Sequence, residues 1–130
     1  MLHRRATNQM IEVNSRPEDD VIIARFRRIV TAHEFFDLAA TIADFGSESR
    51  IPVYLDWVGI DRWEFTVPGP NGVTAWRRAR KTIKRAAIVH LPRLNRQAAW
   101  LAAVLREGCV EVRSWRPKEA AMAVAWLHRP

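Results

Sequence analysis

The chain has 130 residues, 48% of them apolar and 27% charged, with a formal net charge of +7. That is one domain's worth of sequence, able to bury a core without staples and too apolar for a disordered chain. The single cysteine, Cys109, excludes an internal disulfide; no Cys/His cluster suits zinc, and no apolar run approaches the roughly 18–20 residues of a membrane span.

The opening MLHRRATNQM has basic residues but no apolar stretch behind them, so a secretory signal is not expected and a reducing cytoplasm is the default compartment. Residues 1–8 are expected to be a flexible terminus and 9–130 a single domain. Met10–Val13 alternates weakly, Arg16–Asp20 (RPEDD) is turn chemistry and Val21–Phe26 is β-branched, which predicts a hairpin. Thr31-Ala32-His33-Glu34 has the spacing of a capping box, in which a hydroxyl and a carboxylate satisfy each other's backbone N–H groups. Phe35, Leu38, Ala39 and Ile42 follow at helical spacing, and Gly46 supplies the stop.

Ile51–Trp57 (IPVYLDW) reads as a buried strand, and Val58–Gly72, with three glycines and two prolines, as a loop. Val73–Arg85 reads as a helix and Ala86–Leu91 as a strand. Leu94, Ala98, Leu101 and Leu105 form another helical stripe, ended by Gly108. Cys109–Arg113 is the last predicted strand, with Cys109 as a small buried residue, and Pro117 opens a closing helix through Leu127. The order ββαβαβαβα implies crossover connections: a largely parallel sheet with an antiparallel hairpin at its edge.

Three stretches carry a resemblance to a known family. They are IVTAHEFFDLAATI after the hairpin, IPVYLDWVGIDRW, and IKRAAIVHLPRLN with VEVRSWRPKEAAMAVAWL. Together they resemble the SpoIIAA-like family, a branch of the STAS domains that is also compared with CRAL-TRIO lipid-transfer domains. The resemblance implies a STAS-like α/β fold: a mixed sheet of four to five strands packed against about four helices, in a non-catalytic module of bacterial-regulator type. Anti-sigma antagonists of this kind carry a phosphorylatable serine in an Asp-Ser-Ser-Gly turn. Here Gly59-Ile60-Asp61-Arg62-Trp63 stands in that place, with Arg62 and Trp63 at the serine positions, so no phosphoswitch is expected.

The charge is uneven. Residues 1–64 carry eight Lys/Arg and eleven Asp/Glu, residues 65–130 thirteen and three. Six cations crowd residues 77–85, with Trp76, Ala79 and Ile83 on the other side of the wheel. A solvated helix face is the simple reading. Arg77, Arg80, Lys81 and Lys84 are the candidates for a polyanionic contact, with an acidic protein or an anionic membrane surface. No motif points to a specific nucleic acid.

Of the six tryptophans, Trp76, Trp100 and Trp126 fall at helical core positions. Trp57 and Trp63 flank a predicted loop at a strand's C-terminal end, where open α/β sheets bind ligands. With Phe65 they are expected to wall or cover an apolar pocket for a lipid, an acyl chain or another small amphipathic molecule. Asp56 and His90 end neighbouring predicted strands and could face each other as an acid–base pair, but the sequence offers no nucleophile to go with them. No cofactor or metal is implied. The alternative function is a protein-interaction module that docks on an acidic partner or pairs with itself as a homodimer.

Overall fold

The computed structural model describes residues 2–4, 10–16, 21–45, 49–64 and 69–130. The elements are β1 (Leu2–Arg4), β2 (Ile11–Arg16), β3 (Val21–Val30), α1 (Ala32–Asp44), β4 (Ile51–Trp63), α2 (Pro70–Ala79), β5 (Ile83–Val89), α3 (Asn95–Arg106), β6 (Glu111–Trp115) and α4 (Ala120–Leu127). They form one six-stranded sheet in sequential order. β1, β2 and β3 pair antiparallel, while β3 to β6 run parallel. This is the mixed α/β architecture the sequence predicts, with one strand more than four or five. The addition is β1, inside the segment expected to be flexible, where Leu2–Arg4 pair with Val13–Ser15. Phe65, Gly46 and the turn at 17–20 lie outside the described residues.

Each parallel crossover moves to the next strand in the same direction. The right-handed rule therefore puts α1, α2 and α3 on one face. The main core lies beneath them: Phe35, Leu38 and Ile42 from α1, Trp76 from α2 and Leu101 and Leu105 from α3 pack on Ile22, Phe26, Leu55, Trp57 and Ile88. Among the described residues the opposite face is covered by α4, through Ala123, Trp126 and Leu127 on Ala87, Val89, Tyr54 and Trp115.

The capping box forms at α1. Thr31 Oγ1 accepts from the Glu34 N–H at 3.2 Å and Glu34 Oε1 accepts from the Thr31 N–H at 3.4 Å. The second carboxylate oxygen accepts from the Met10 N–H at 2.9 Å, so one side chain also anchors the start of β2.

Most boundaries lie a few residues from the sequence reading, β3 running on to Val30 and β6 covering Glu111–Trp115, and two differences matter for the site. β4 does not stop at Trp57 but continues to Trp63 beside the end of β3. Between the pairs Arg25–Asp56 and Val30–Trp63 it advances seven residues while β3 advances five, through two bulges. Gly59 sits where a Cβ would lie 2.9 Å from the Phe26 carbonyl oxygen, so the close approach of the strands there requires glycine. The bulges shift the inward positions from Leu55 and Trp57 to Ile60, which breaks the period-2 pattern. The residues compared with the phosphoserine turn are therefore strand. The second difference is α2, which ends at Ala79; Ile83, Lys84 and Arg85 open β5, drawn into the sheet by the pairing of Ile83 with Ile51.

Cys109 also departs from expectation. It is exposed, and lies in a left-handed turn (φ 65°) after α3, where the Val110 N–H reaches back to the Leu105 carbonyl. A Cβ is strained at that φ, so Cys109→Gly is expected to raise stability by about 0.5–1 kcal/mol, read from the urea midpoint. An unchanged or lower midpoint would contradict this.

Candidate functional site

The aromatic residues meet at the end of the parallel strands. β4 turns Trp57 into the helix-covered face, where its ring centroid lies 5.6 Å from Phe26, 5.0 Å from Trp63, 6.4 Å from Phe35 and 6.3 Å from His90. Phe35 in turn stacks at 4.8 Å from Trp76 and 6.3 Å from Trp100. Trp57 and Trp76 are 0% exposed and Phe26 and Phe35 only 1%. Trp57 and Trp63 are thus brought together as the sequence suggests, but Trp57 is core, and Trp63 packs half-buried at its margin. The chain's own rings fill the cluster. Among the described residues, the indole N–H groups of Trp57 and Trp76 and the Gln97 amide oxygen are buried without a hydrogen-bond partner.

Asp56 and His90 do not face each other. Asp56 alternates with Leu55 and Trp57, which point into the helix-covered core, so its carboxylate leaves the opposite face. There Asp56 Oδ1 accepts from the Val58 N–H at 3.1 Å. His90 is 6% exposed and lies against Trp57 on the helix side. Its Nδ1 is 2.7 Å from the Leu91 carbonyl oxygen; a carbonyl only accepts, which makes Nδ1 the protonated nitrogen. A sheet separates the carboxylate from the imidazole. The sequence reading failed here because strand alternation sends in-register neighbours to the same face, and His90 pairs one step beyond Val89, the partner of Asp56.

The basic run 77–85 divides between three environments. Arg77 is exposed and reaches Glu107 at 3.8 Å, a pair worth about 0–1 kcal/mol. Arg80 folds back, and its Nη1 donates to the Val104 carbonyl at 2.7 Å and lies 3.4 Å from Glu107 Oε1. It caps the last turn of α3 and is largely withdrawn from solvent. Gly108 gives it passage, because a Cβ there would come within 2.6 Å of the Arg80 side chain. Lys81 and Lys84 are exposed, the latter on β5. Arg85, also on β5, is buried against the end of α4.

The surface that sequence reasoning missed is the outer side of α4. AAMAVAWL has no polar residue, and only Ala123, Trp126 and Leu127 of it are buried. Met122 is 58% exposed and Val124 44%. Beside α4 the same sheet face is open over β3 and β4, where Arg25, Arg27 and Val58 are exposed. The signal was an eight-residue helix apolar on every side, which one contact with a sheet cannot satisfy.

Tyr54 lies on this face, next to α4. Burial first, and the Asp56 carboxylate second, push its phenol above the usual value of 10.0, with Arg25 opposing. The folded chain then holds the proton more tightly than the unfolded one, so the stabilisation is complete below pH 10 and falls as pH rises beyond it. Tyr54 is the only tyrosine. Phenolate absorbance of the native protein is expected to rise at higher pH than in urea, and Tyr54→Phe to reduce the alkaline loss of stability; coincident titrations would contradict this.

No described helix is long and apolar enough to cross a membrane, and no three described His, Cys, Asp or Glu residues gather as metal ligands.

The sheet order, the three crossovers on one face and the closing helix define a SpoIIAA-like fold. Solved structures share it, two among them informative here. One is an uncharacterized protein of the DUF3478 family with a SpoIIAA-like fold, from Shewanella loihica PV-4, which is 16% identical, with a TM-score of 0.61 over 95% of this chain and 99% of that one. The other is the anti-sigma factor antagonist SpoIIAA in its unphosphorylated form, 12% identical, with a TM-score of 0.50 over 88% of this chain and 97% of that one. No family model and no curated protein matches the sequence.

Proposed function

We propose that this chain is a non-catalytic interaction module that binds another protein through the α4 side of its sheet. The observation that carries the reading is α4 itself: the only helix on that face among the described residues, without a polar residue, and with Met122 and Val124 turned outward. Exposed apolar side chains grouped on one element mark contact surfaces more often than isolated ones do. The separation of Asp56 from His90 speaks against an acid–base pair, and the similarity to an anti-sigma factor antagonist is consistent with work by association. A cytoplasmic location fits this reading.

Met122→Asp with Val124→Asp is the test, since both positions are exposed and the fold should tolerate the change. After brief chemical cross-linking in its own cells, the extract is expected to hold the native chain in a complex and the double variant as the bare chain. Elution of both as the bare chain would contradict the proposal.

A small amphipathic ligand at Trp57, Trp63 and Phe65, beside His90 but with Asp56 on the far face of the sheet, is the second reading. It is favoured by the buried indole N–H groups of Trp57 and Trp76, which a ligand with its own acceptor would satisfy. Ordered water would serve equally well. The filled cluster makes it the weaker of the two.

A further inference from the structure

We infer that the partner seated on α4 is an acidic amphipathic helix of another protein; the inference rests on the interaction reading above and adds the chemistry of the occupant. The apolar side chains of α4 stand inside a ring of cations. Arg113, exposed on β6, places its guanidinium carbon 5.4 Å from the centre of the Trp126 ring. Arg116 and Lys118 are exposed just before the helix and Arg129 just after it. Among the described residues none of these four pairs with a carboxylate. Three acids lie on the same side, each with a partner: Glu119 accepts from the Arg116 backbone N–H at 2.8 Å, Glu111 lies 3.4 Å from Arg85, and Asp56 accepts from the Val58 N–H at 3.1 Å.

An apolar strip with an unneutralised cationic rim is complementary to an apolar strip with an anionic rim. A second copy does not supply that. A two-fold contact brings each patch against itself, so the four cations would meet their own kind between chains of net charge +7. A lipid surface fits less well than a helix, because interfacial helices insert bulky Trp, Phe and Leu, whereas Ala121, Met122, Val124 and Ala125 face outward here. Small outward residues instead let a second helix axis approach to about 8–10 Å. With α4 only about 12 Å long the contact covers two to three turns, and an interface that small is transient.

The probe is a synthetic amphipathic peptide of about four turns, Leu on one face and Glu on the other, titrated into the isotopically labelled full chain and followed by NMR. Saturable shifts confined to α4 and its cationic rim are expected, weaker at higher salt. Binding should fall about tenfold in Met122→Gln/Val124→Gln and several-fold in Arg113→Glu. Absence of binding, equal binding of the matching Leu/Lys peptide, or shifts spread over the molecule would overturn the inference. So would preferential binding of phosphatidylglycerol vesicles through α4, or self-association through it without peptide. If the peptide fails while the extract complex still depends on Met122 and Val124, the interaction reading stands and the acidic helix falls.

Discussion

Trp57→Ala is expected to destabilise the fold by about 3–5 kcal/mol, the range for removing a large aromatic side chain from a core. The indole is 0% exposed and touches rings from β3, α1, β4 and the end of β5, so no single neighbour can collapse into the space it leaves. Domains of this size are commonly stable by about 5–15 kcal/mol, so the variant is expected to lie near its unfolding threshold. Trp57→Phe keeps a ring in place and is expected to cost about 1–2 kcal/mol, measurable in urea even if the alanine variant does not fold. A pocket wall behaves differently. If Trp57 lined a ligand site, truncation would change binding and leave stability nearly untouched, and a cost under about 0.5 kcal/mol would identify that case.

Arg85→Met is expected to cost about 2–4 kcal/mol and to loosen α4 selectively. The Arg85 guanidinium donates through Nη1 to the carbonyls of Trp126 at 3.3 Å and Arg129 at 2.5 Å, and through Nη2 to Pro130 at 3.3 Å. It also lies 5.8 Å from the centre of the Trp126 ring. A cation at a helix C-terminus meets orphan carbonyls and the negative end of the dipole at once. Methionine keeps the apolar stem and removes all of the donors. The Glu111 contact adds little, because that carboxylate is 64% exposed. Hydrogen exchange should show amides of α4 losing protection while those of β3 and β4 keep theirs. Uniform loss across the sheet would show that α4 is not held separately. The effect should reach function, since the proposed docking surface is the outer side of this same helix.

Much of this architecture could be read from sequence because local and global preferences agree. The Thr31–Glu34 box, the Phe35, Leu38 and Ile42 stripe and the apolar run before Asp56 each have one favoured structure, and all three form as expected. The misses have specific causes. Asp61, Arg62 and Gly59 resemble a loop by composition; only the pairing of β4 with an equally extended β3 makes them strand, and no local signal carries that. Ile83 fits the α2 wheel and is also the first inward residue of β5, so periodicity could not place the boundary.

The site was less legible than the fold. Trp57 and Trp63 were recognisable as neighbours, yet whether clustered rings surround a space or fill it depends on how α1 and α2 close over them. Arg80 and Arg85 look like surface charge in a basic run, and their burial is set by carbonyls 24 and 41 or more residues away. Arg77, Arg78, Lys81 and Lys84 keep the exposed character the whole run was expected to have. The apolar outer side of α4 was visible in AAMAVAWL, but a closing helix is assumed to be buried until the topology shows no other described helix on its sheet face.

The measurement that bears most directly on the account is native mass spectrometry of the gently purified chain, followed by denaturing extraction of anything it carries. An interaction module whose aromatic cluster is filled by its own rings should appear at the mass of the bare polypeptide, with nothing extracted. A stoichiometric increment matching a fatty acid or lipid, lost in Trp63→Ala and kept in Met122→Asp/Val124→Asp, would contradict it and place the function in the aromatic cluster instead.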